Sequence, residues 1–139
     1  MTLTREEILA MEPGPELDKL IAEHVMGWSI YRFDKDVPER CYYMLVDKSF
    51  DPVVDGGYWN AGERKTEEEA WNDNRPFSTD ISAAWEVLNK VIEMGMEINV
   101  GFYQKWDCAL DYRGTQWNEQ ADTAPEAICK TALLAVLGL

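Results

Sequence analysis

The sequence is poor in basic residues, and this shortage bears on its ligands. It has 26 acidic residues against 13 Lys and Arg, which gives a formal net charge of -13 at pH 7. Binding to a phosphate backbone needs Lys and Arg to displace counterions, so nucleic acid is disfavoured as a partner. An acidic surface can instead attract a basic protein, although plain solubility is the commonest reason for such a charge.

Cysteine and histidine are also scarce. Cys41, Cys108 and Cys129 lie far apart and without CxxC spacing, so the sequence predicts reduced thiols rather than a disulfide framework or a zinc site. His24 is the only histidine, and it lies on or beside the apolar stripe of a predicted helix, where a structural role is favoured over a general base. The sequence therefore predicts no catalytic residue, no metal and no cofactor, and hence a protein that is not an enzyme.

Long apolar runs are missing too, because charges interrupt them well short of the length of a membrane span. The stretch "MTLTREEIL" has no basic region followed by an apolar one, so no export signal is indicated. With 139 residues and 46% hydrophobic content, we expect one domain over residues 1–139 with an elaborated connection at about 47–77. We also expect no membrane association and a cytoplasmic location.

Apolar periodicity predicts an α+β fold with a mostly antiparallel sheet and helices packed on it. Capping boxes at Thr4–Glu7, Thr66–Glu69 and Thr123–Glu126 mark three helix starts, and Asp80 is an N-cap candidate for a fourth. The main helices are predicted near 15–26, 80–94 and 124–137, and the sheet is predicted to contain 41–46, 96–103 and 106–112. Both alternating sets of residues 41–46 are apolar or aromatic, which predicts a strand covered on both faces.

Aromatic residues are more numerous than core packing normally requires, with six Trp and six Tyr. The pattern predicts that Trp28, Trp85 and Trp106 belong to the core, whereas Trp59, Trp71 and Trp117 fit no apolar period. Trp59 and Trp71 lie in the charged stretch "YWNAGERKTEEEAWNDNRPFSTD", which offers little apolar surface of its own.

Two interpretations of that stretch remain open. The two tryptophans could lie back onto the sheet as a lid, or they could stand exposed as anchors for a partner, since interface anchors are rich in Trp, Tyr and Arg. On the second interpretation, the segment from Tyr58 to Asp80 is the binding surface. Its members would be the anchors and their neighbours in the sequence, namely Tyr58, Trp59, Trp71, Arg75 as a polar contact, Asp73 as a rim charge, and Phe77.

Three pieces of the sequence resemble one family in order and spacing: "LDKLIAEHVMGW", "FSTDISAAWEVLNKV" and "ADTAPEAICKTALLAVL". They are similar to the phage ABA sandwich domain, a family of small phage and prophage proteins. The resemblance covers nearly the whole chain and implies an α-β-α sandwich-like arrangement of helices, sheet and helices. It implies no activity and no catalytic residues, so no site is carried over.

The leading hypothesis is therefore a phage or prophage accessory protein, without enzymatic activity, that binds a host or phage protein. The alternative is a small-ligand-binding domain with an aromatic pocket between sheet and loop. A metal-dependent or thiol enzyme ranks last, and a homodimer stays open.

Overall fold

The computed structural model describes residues 2–33, 42–48 and 64–139. The helices are α1 (Arg5–Ala10), α2 (Pro15–Leu20), a π-helix (Ile21–Met26) that continues α2, α3 (Glu67–Trp71), α4 (Ile81–Glu93) and α5 (Ala124–Leu137). The strands are β1 (Trp28–Phe33), β2 (Tyr42–Asp47), β3 (Glu97–Tyr103), β4 (Lys105–Tyr112) and β5 (Thr115–Ala121). All described strand pairs are antiparallel, so the predicted α+β class is confirmed. Within the described ranges, no helix is long and apolar enough to cross a membrane.

The helix starts follow the predicted capping residues. Thr4 and Glu7 form the complete capping box of α1, and Asp80 caps α4 by accepting a hydrogen bond from the backbone of Ser82. Thr66 and Thr123 each accept from the backbone three residues ahead, at the starts of α3 and α5. These side chains satisfy amide groups that have no partner within the helix, which is why the sequence marks the boundaries so closely.

The chain forms two compact units, of which unit 1 comprises Met1–Met26 and Arg75–Leu139. Its sheet has the order β3-β4-β5, and α5 packs against β4 and β5 on one side and against α1, α4 and the π-helix on others. Helix α5 is consequently buried almost all round, from Ala124 to Ala135 with Glu126 as the half-buried exception. Leu88 and Leu133 are buried and Leu20 is half-buried, so the predicted helix registers place these three residues correctly.

Unit 2, Gly27–Asn74, contains the antiparallel pair β1–β2 and α3, which packs against both strands. Met44, Leu45 and Val46 are consecutive and all buried, so β2 is covered on both faces, as predicted. The backbone of Tyr43 exchanges two hydrogen bonds with that of Arg64, at 2.7 and 2.8 Å, on the side of β2 away from β1. The prediction of a single domain over 1–139 stays a prediction.

Two features of unit 1 go beyond what the sequence pattern decides. The prediction places His24 on or beside the apolar stripe, and the structure places it beside the stripe and exposed, because the backbone widens into a π-helix after Leu20 and turns less per residue. The strand β5 was not predicted, since "TQWNEQA" has only one large apolar residue. Its turn is readable in hindsight: Arg113 and Gly114 both have positive φ, 51° and 85°, which is the conformation of a tight two-residue hairpin turn.

A buried polar cluster joins the start of α2 to the segment before α4. Oδ1 of Asp18 accepts hydrogen bonds from the backbone N–H and the hydroxyl of Ser78, at 2.7 and 2.6 Å. The Ser78 hydroxyl in turn accepts from the backbone N–H of Gly14 at 2.9 Å. Burial raises the pKa of Asp18 above its usual value, although the bonds from Ser78 act against this rise.

The replacement of Asp18 with Asn is expected to change how stability depends on pH. A raised pKa means that the folded state holds this proton more tightly than the unfolded state, so the contribution to stability is complete below about pH 4 and is lost as the pH rises through the folded pKa. Asp18→Asn keeps the acceptor for Ser78 and removes the titration. Urea unfolding between pH 3 and 7 should show that the wild type loses stability relative to the variant as the pH rises; parallel profiles would contradict this assignment.

Candidate functional site

Helix α4 carries a wider apolar face than the rest of unit 1 covers. Ala84, Leu88 and Val91 are buried against the core, whereas Ile81, Trp85 and Ile92 are 51%, 58% and 49% exposed. These three exposed residues follow one another at helical spacing along one side of the helix. The prediction that Trp85 lies in the core is therefore wrong: an apolar period shows which face of a helix is apolar, not how much of that face finds a partner.

The inner face of β3 is also incompletely covered. Helix α5 packs on β4 and β5, and α4 packs mainly on α5, so Ile98 and Val100 of β3 remain half-buried. Next to them on β4, Trp106 is 36% exposed, which corrects its predicted place in the core. The Trp106 ring lies against that of Phe102, with 5.2 Å between ring centroids and the planes tilted by 57°.

These surfaces border an open groove of about 710 Å³ in unit 1. It is bounded by α4, β3, β4 and the beginning of α5. The lining residues are mostly apolar, namely Ile81, Trp85, Leu88, Ile98, Val100, Trp106, Ala124, Pro125 and Ile128, with Asn99, Asp122 and Thr123 as the polar members. Asp122 is the one ionisable side chain among them, and its Oδ1 lies 3.5 Å from Nζ of Lys105 in an exposed ion pair.

The chemistry of the groove is suited to binding. Exposed aromatic and aliphatic side chains that are contiguous mark interaction surfaces in soluble proteins, and tryptophan is the residue that contributes most often to binding hot spots. Among the described residues that line it, there is no histidine and no cysteine. It can accept an apolar segment and fix it with a few polar contacts at Asn99, Asp122 and Thr123.

The described thiols lie away from solvent. Cys108 and Cys129 are both free and buried, and burial raises the pKa of Cys108 to about 12 and that of Cys129 well above its usual value. Hydrogen bonding from the side chain of Thr131 lowers the pKa of Cys108, but desolvation, which raises this pKa, has the larger effect. At neutral pH both groups are protonated, which is typical of a cysteine that acts as a small hydrophobic residue. Cys41 lies outside the described residues.

The residues predicted for the Tyr58–Asp80 surface have different outcomes. Tyr58 and Trp59 lie outside the described residues. In unit 2, Trp71 is half-buried at the end of α3, and Asp73 accepts two hydrogen bonds from the guanidinium of Arg64, at 2.8 and 2.6 Å. In unit 1, Nε of Arg75 donates to Glu86 at 2.7 Å, on the exposed side of α4.

The structure contradicts the prediction that Phe77 belongs to the Tyr58–Asp80 surface. It is 0% exposed and among the largest fully buried side chains, so it belongs to the core and not to a binding surface. The sequence "NRPFSTD" has no apolar period, and nothing in the pattern indicates that this turn folds inward.

The sequence pattern does not predict the groove, because Trp85 and Trp106, which form its two sides, match the pattern of core residues.

Comparison with known proteins gives a family match and a structural match. The profile of the family described as Phage ABA sandwich domain matches residues 19–133. Among solved structures, the chain is similar to a crystal structure of a phage protein from Bacillus cereus ATCC 14579, with a TM-score of 0.55 and 24% sequence identity over 89% of this chain and 91% of that one. At this identity the likeness shows the fold alone. No curated protein matches the sequence.

Proposed function

The chain belongs to the phage ABA sandwich domain family, and from that premise we propose that it is a phage or prophage accessory protein that acts by binding a protein partner, without catalysis. The partner is a host or phage protein met in the cytoplasm of the host cell. The observation that carries this proposal is the groove of unit 1, with Ile81, Trp85 and Trp106 exposed along it.

Energetics support the groove as the contact surface. An exposed tryptophan stabilises nothing until a partner removes its apolar surface from water, and hot-spot tryptophans contribute on the order of 2 kcal/mol or more to binding. A net charge of -13 favours a partner with a basic surface, because complementary charge speeds encounter and excludes acidic competitors.

A small-molecule ligand is the second candidate, and the size of the groove favours it. A volume of about 710 Å³ is within the range of ligand pockets, and two indole rings could stack a planar compound. However, Trp85 is more than half exposed, whereas ligand pockets bury most of their ligand, so an open groove suits a protein segment better.

The replacement of Trp85 with Ala is expected to weaken partner binding by on the order of 2 kcal/mol, about 30-fold, because the truncation removes the most exposed large apolar side chain of α4. The experiment is affinity capture on tagged protein from infected or lysogenic cells, with mass spectrometry and then a measured Kd for the captured protein. Since the side chain is exposed, the melting temperature should change little.

The chain provides a matched control for this experiment. Ile81 and Ile92 are almost equally exposed on α4, but of the two only Ile81 lines the groove. Ile81→Ala should lower the affinity and Ile92→Ala should not. If the captured protein is retained by Trp85→Ala and lost by Trp71→Ala, the Tyr58–Asp80 surface is the site and the groove is not.

A further inference from the structure

Within unit 1, the groove runs along the outer strand of the sheet. β3 is the outer strand of the order β3-β4-β5, and no other described strand pairs with its free side. Ile98, Asn99 and Val100 all line the groove although they are consecutive. Because successive side chains in a strand point to opposite faces, a groove bordered by three in a row lies beside the strand edge, where backbone N–H and C=O groups point outward.

The sequence of β3 itself has little of the usual protection against pairing. Soluble proteins blunt exposed edges with proline, lysine, inward charges or bulges. Between Ile98 and Tyr103, β3 has none of the first three, and its pairing with β4 continues residue for residue without a bulge.

The two faces beside the edge differ in chemistry. The groove face is apolar, through Ile98, Val100 and the tryptophans. On the opposite face, Glu97 lies directly across from Asp111, and Asp107 lies across from Gly101. Two like charges opposite each other in an antiparallel pair are unfavourable, so a cation placed beside Glu97 would be stabilising. Lys105 is the one basic residue of β3 and β4, and it lies at the hairpin end, across from Tyr103.

We propose that the partner of the groove is an extended segment that adds as a strand to the free edge of β3, with apolar side chains in the groove and basic side chains on the opposite face. This inference rests on the proposed function and specifies the partner by its chemistry: alternating apolar and basic residues. Backbone hydrogen bonds supply affinity in such strand addition, and the alternate side chains supply specificity. A second copy of the chain is a poorer occupant, since it brings a net charge of -13 and the same Glu97 to the edge.

The test uses a capped peptide of alternating Val and Lys, about ten residues long, which spans a strand of ordinary length. Calorimetry or the fluorescence of the tryptophans gives its affinity for the full chain. Two further peptides carry N-methyl groups on every Val or on every Lys, which block the backbone donors on one edge of the peptide or on the other. We expect one of the two to bind at least about tenfold more weakly than the unmodified peptide and the other to bind nearly as well, because only one edge faces β3. A peptide with Glu in place of Lys should not bind.

Other outcomes overturn the inference. If both methylated peptides bind like the unmodified one, or if no peptide binds, strand addition is wrong. A protein that sediments as a dimer and is dissociated by Trp85→Ala would make a second copy the occupant, against the proposal. The proposed function is decided separately, by whether Trp85→Ala releases the captured protein. If the captured protein depends on Trp85 but none of the peptides binds, the groove is still the binding site and only the proposal of strand addition is wrong.

Discussion

The replacement of Phe77 with Ala is expected to lower the free energy of unfolding by about 3 to 5 kcal/mol, which is the cost of deleting a fully buried aromatic ring and leaving a cavity. Phe77 is 0% exposed and adjoins Ser78, whose hydroxyl belongs to the buried cluster with Asp18. Urea denaturation followed by circular dichroism measures the change directly. In a protein of ordinary stability, this loss is a large part of the total.

Trp85→Ala is the matched control, because it removes an even larger ring from an exposed position. We expect it to change the free energy of unfolding by less than about 1 kcal/mol, as surface substitutions do. The sequence alone predicts the reverse order, with Phe77 on a binding surface and Trp85 in the core. If Phe77→Ala were the milder of the two, the assignment of the core and with it the groove would fall.

The replacement of Glu126 with Gln is expected to destabilise the protein by about 3 kcal/mol, because it leaves a buried ammonium without its counter-charge. Nζ of Lys130 donates to Oε2 of Glu126 at 2.7 Å and to the carbonyl of Leu9 at 2.9 Å, and the two charged side chains are 7% and 16% exposed. The carbonyl alone cannot balance the desolvated charge. Thermal and urea unfolding at pH 7 and moderate salt would measure the loss.

Two comparisons make this result specific to burial. Glu86→Gln removes the partner of Arg75 from a pair that is nearly half exposed on both sides, and it should cost less than about 1 kcal/mol. In the double variant Glu126→Leu with Lys130→Met, both charges are gone, and much of the stability should return. A loss from Glu126→Gln no larger than that from Glu86→Gln would show that the pair is not desolvated.

The features of the fold that the sequence predicts well are those decided by local interactions. Thr4, Thr66, Asp80 and Thr123 cap helices as expected, since a capping side chain reaches only two or three residues along its own chain. The sequence also predicts that β2 is covered on both faces, because both alternating sets of its residues are apolar or aromatic. In each case the physical cause lies within a few residues of the signal.

The candidate site was less predictable, because exposure depends on what packs from elsewhere. Whether Trp85 is buried depends on how far α5 extends over β3. The residues around Trp85 in the sequence carry no information about the position of α5. Phe77 is the opposite case. It lies in a turn whose sequence has no apolar periodicity, and yet the side chain is buried in the core, because the neighbouring elements leave space for it. The edge position of β3 likewise depends on the pairing of β5, whose sequence hardly resembles a strand.

The central place of α5 has a consequence for synthesis. Residues 124–137 are translated after all the other elements of unit 1, yet they form the surface on which the inner faces of α1, α4, β4 and β5 pack. At elongation rates of about 5 to 20 residues per second, roughly 6 to 25 seconds pass between the synthesis of α1 and that of α5. Native packing of this unit therefore follows the emergence of α5 from the ribosome. A premature stop before residue 124 would yield a chain without the helix on which these elements pack.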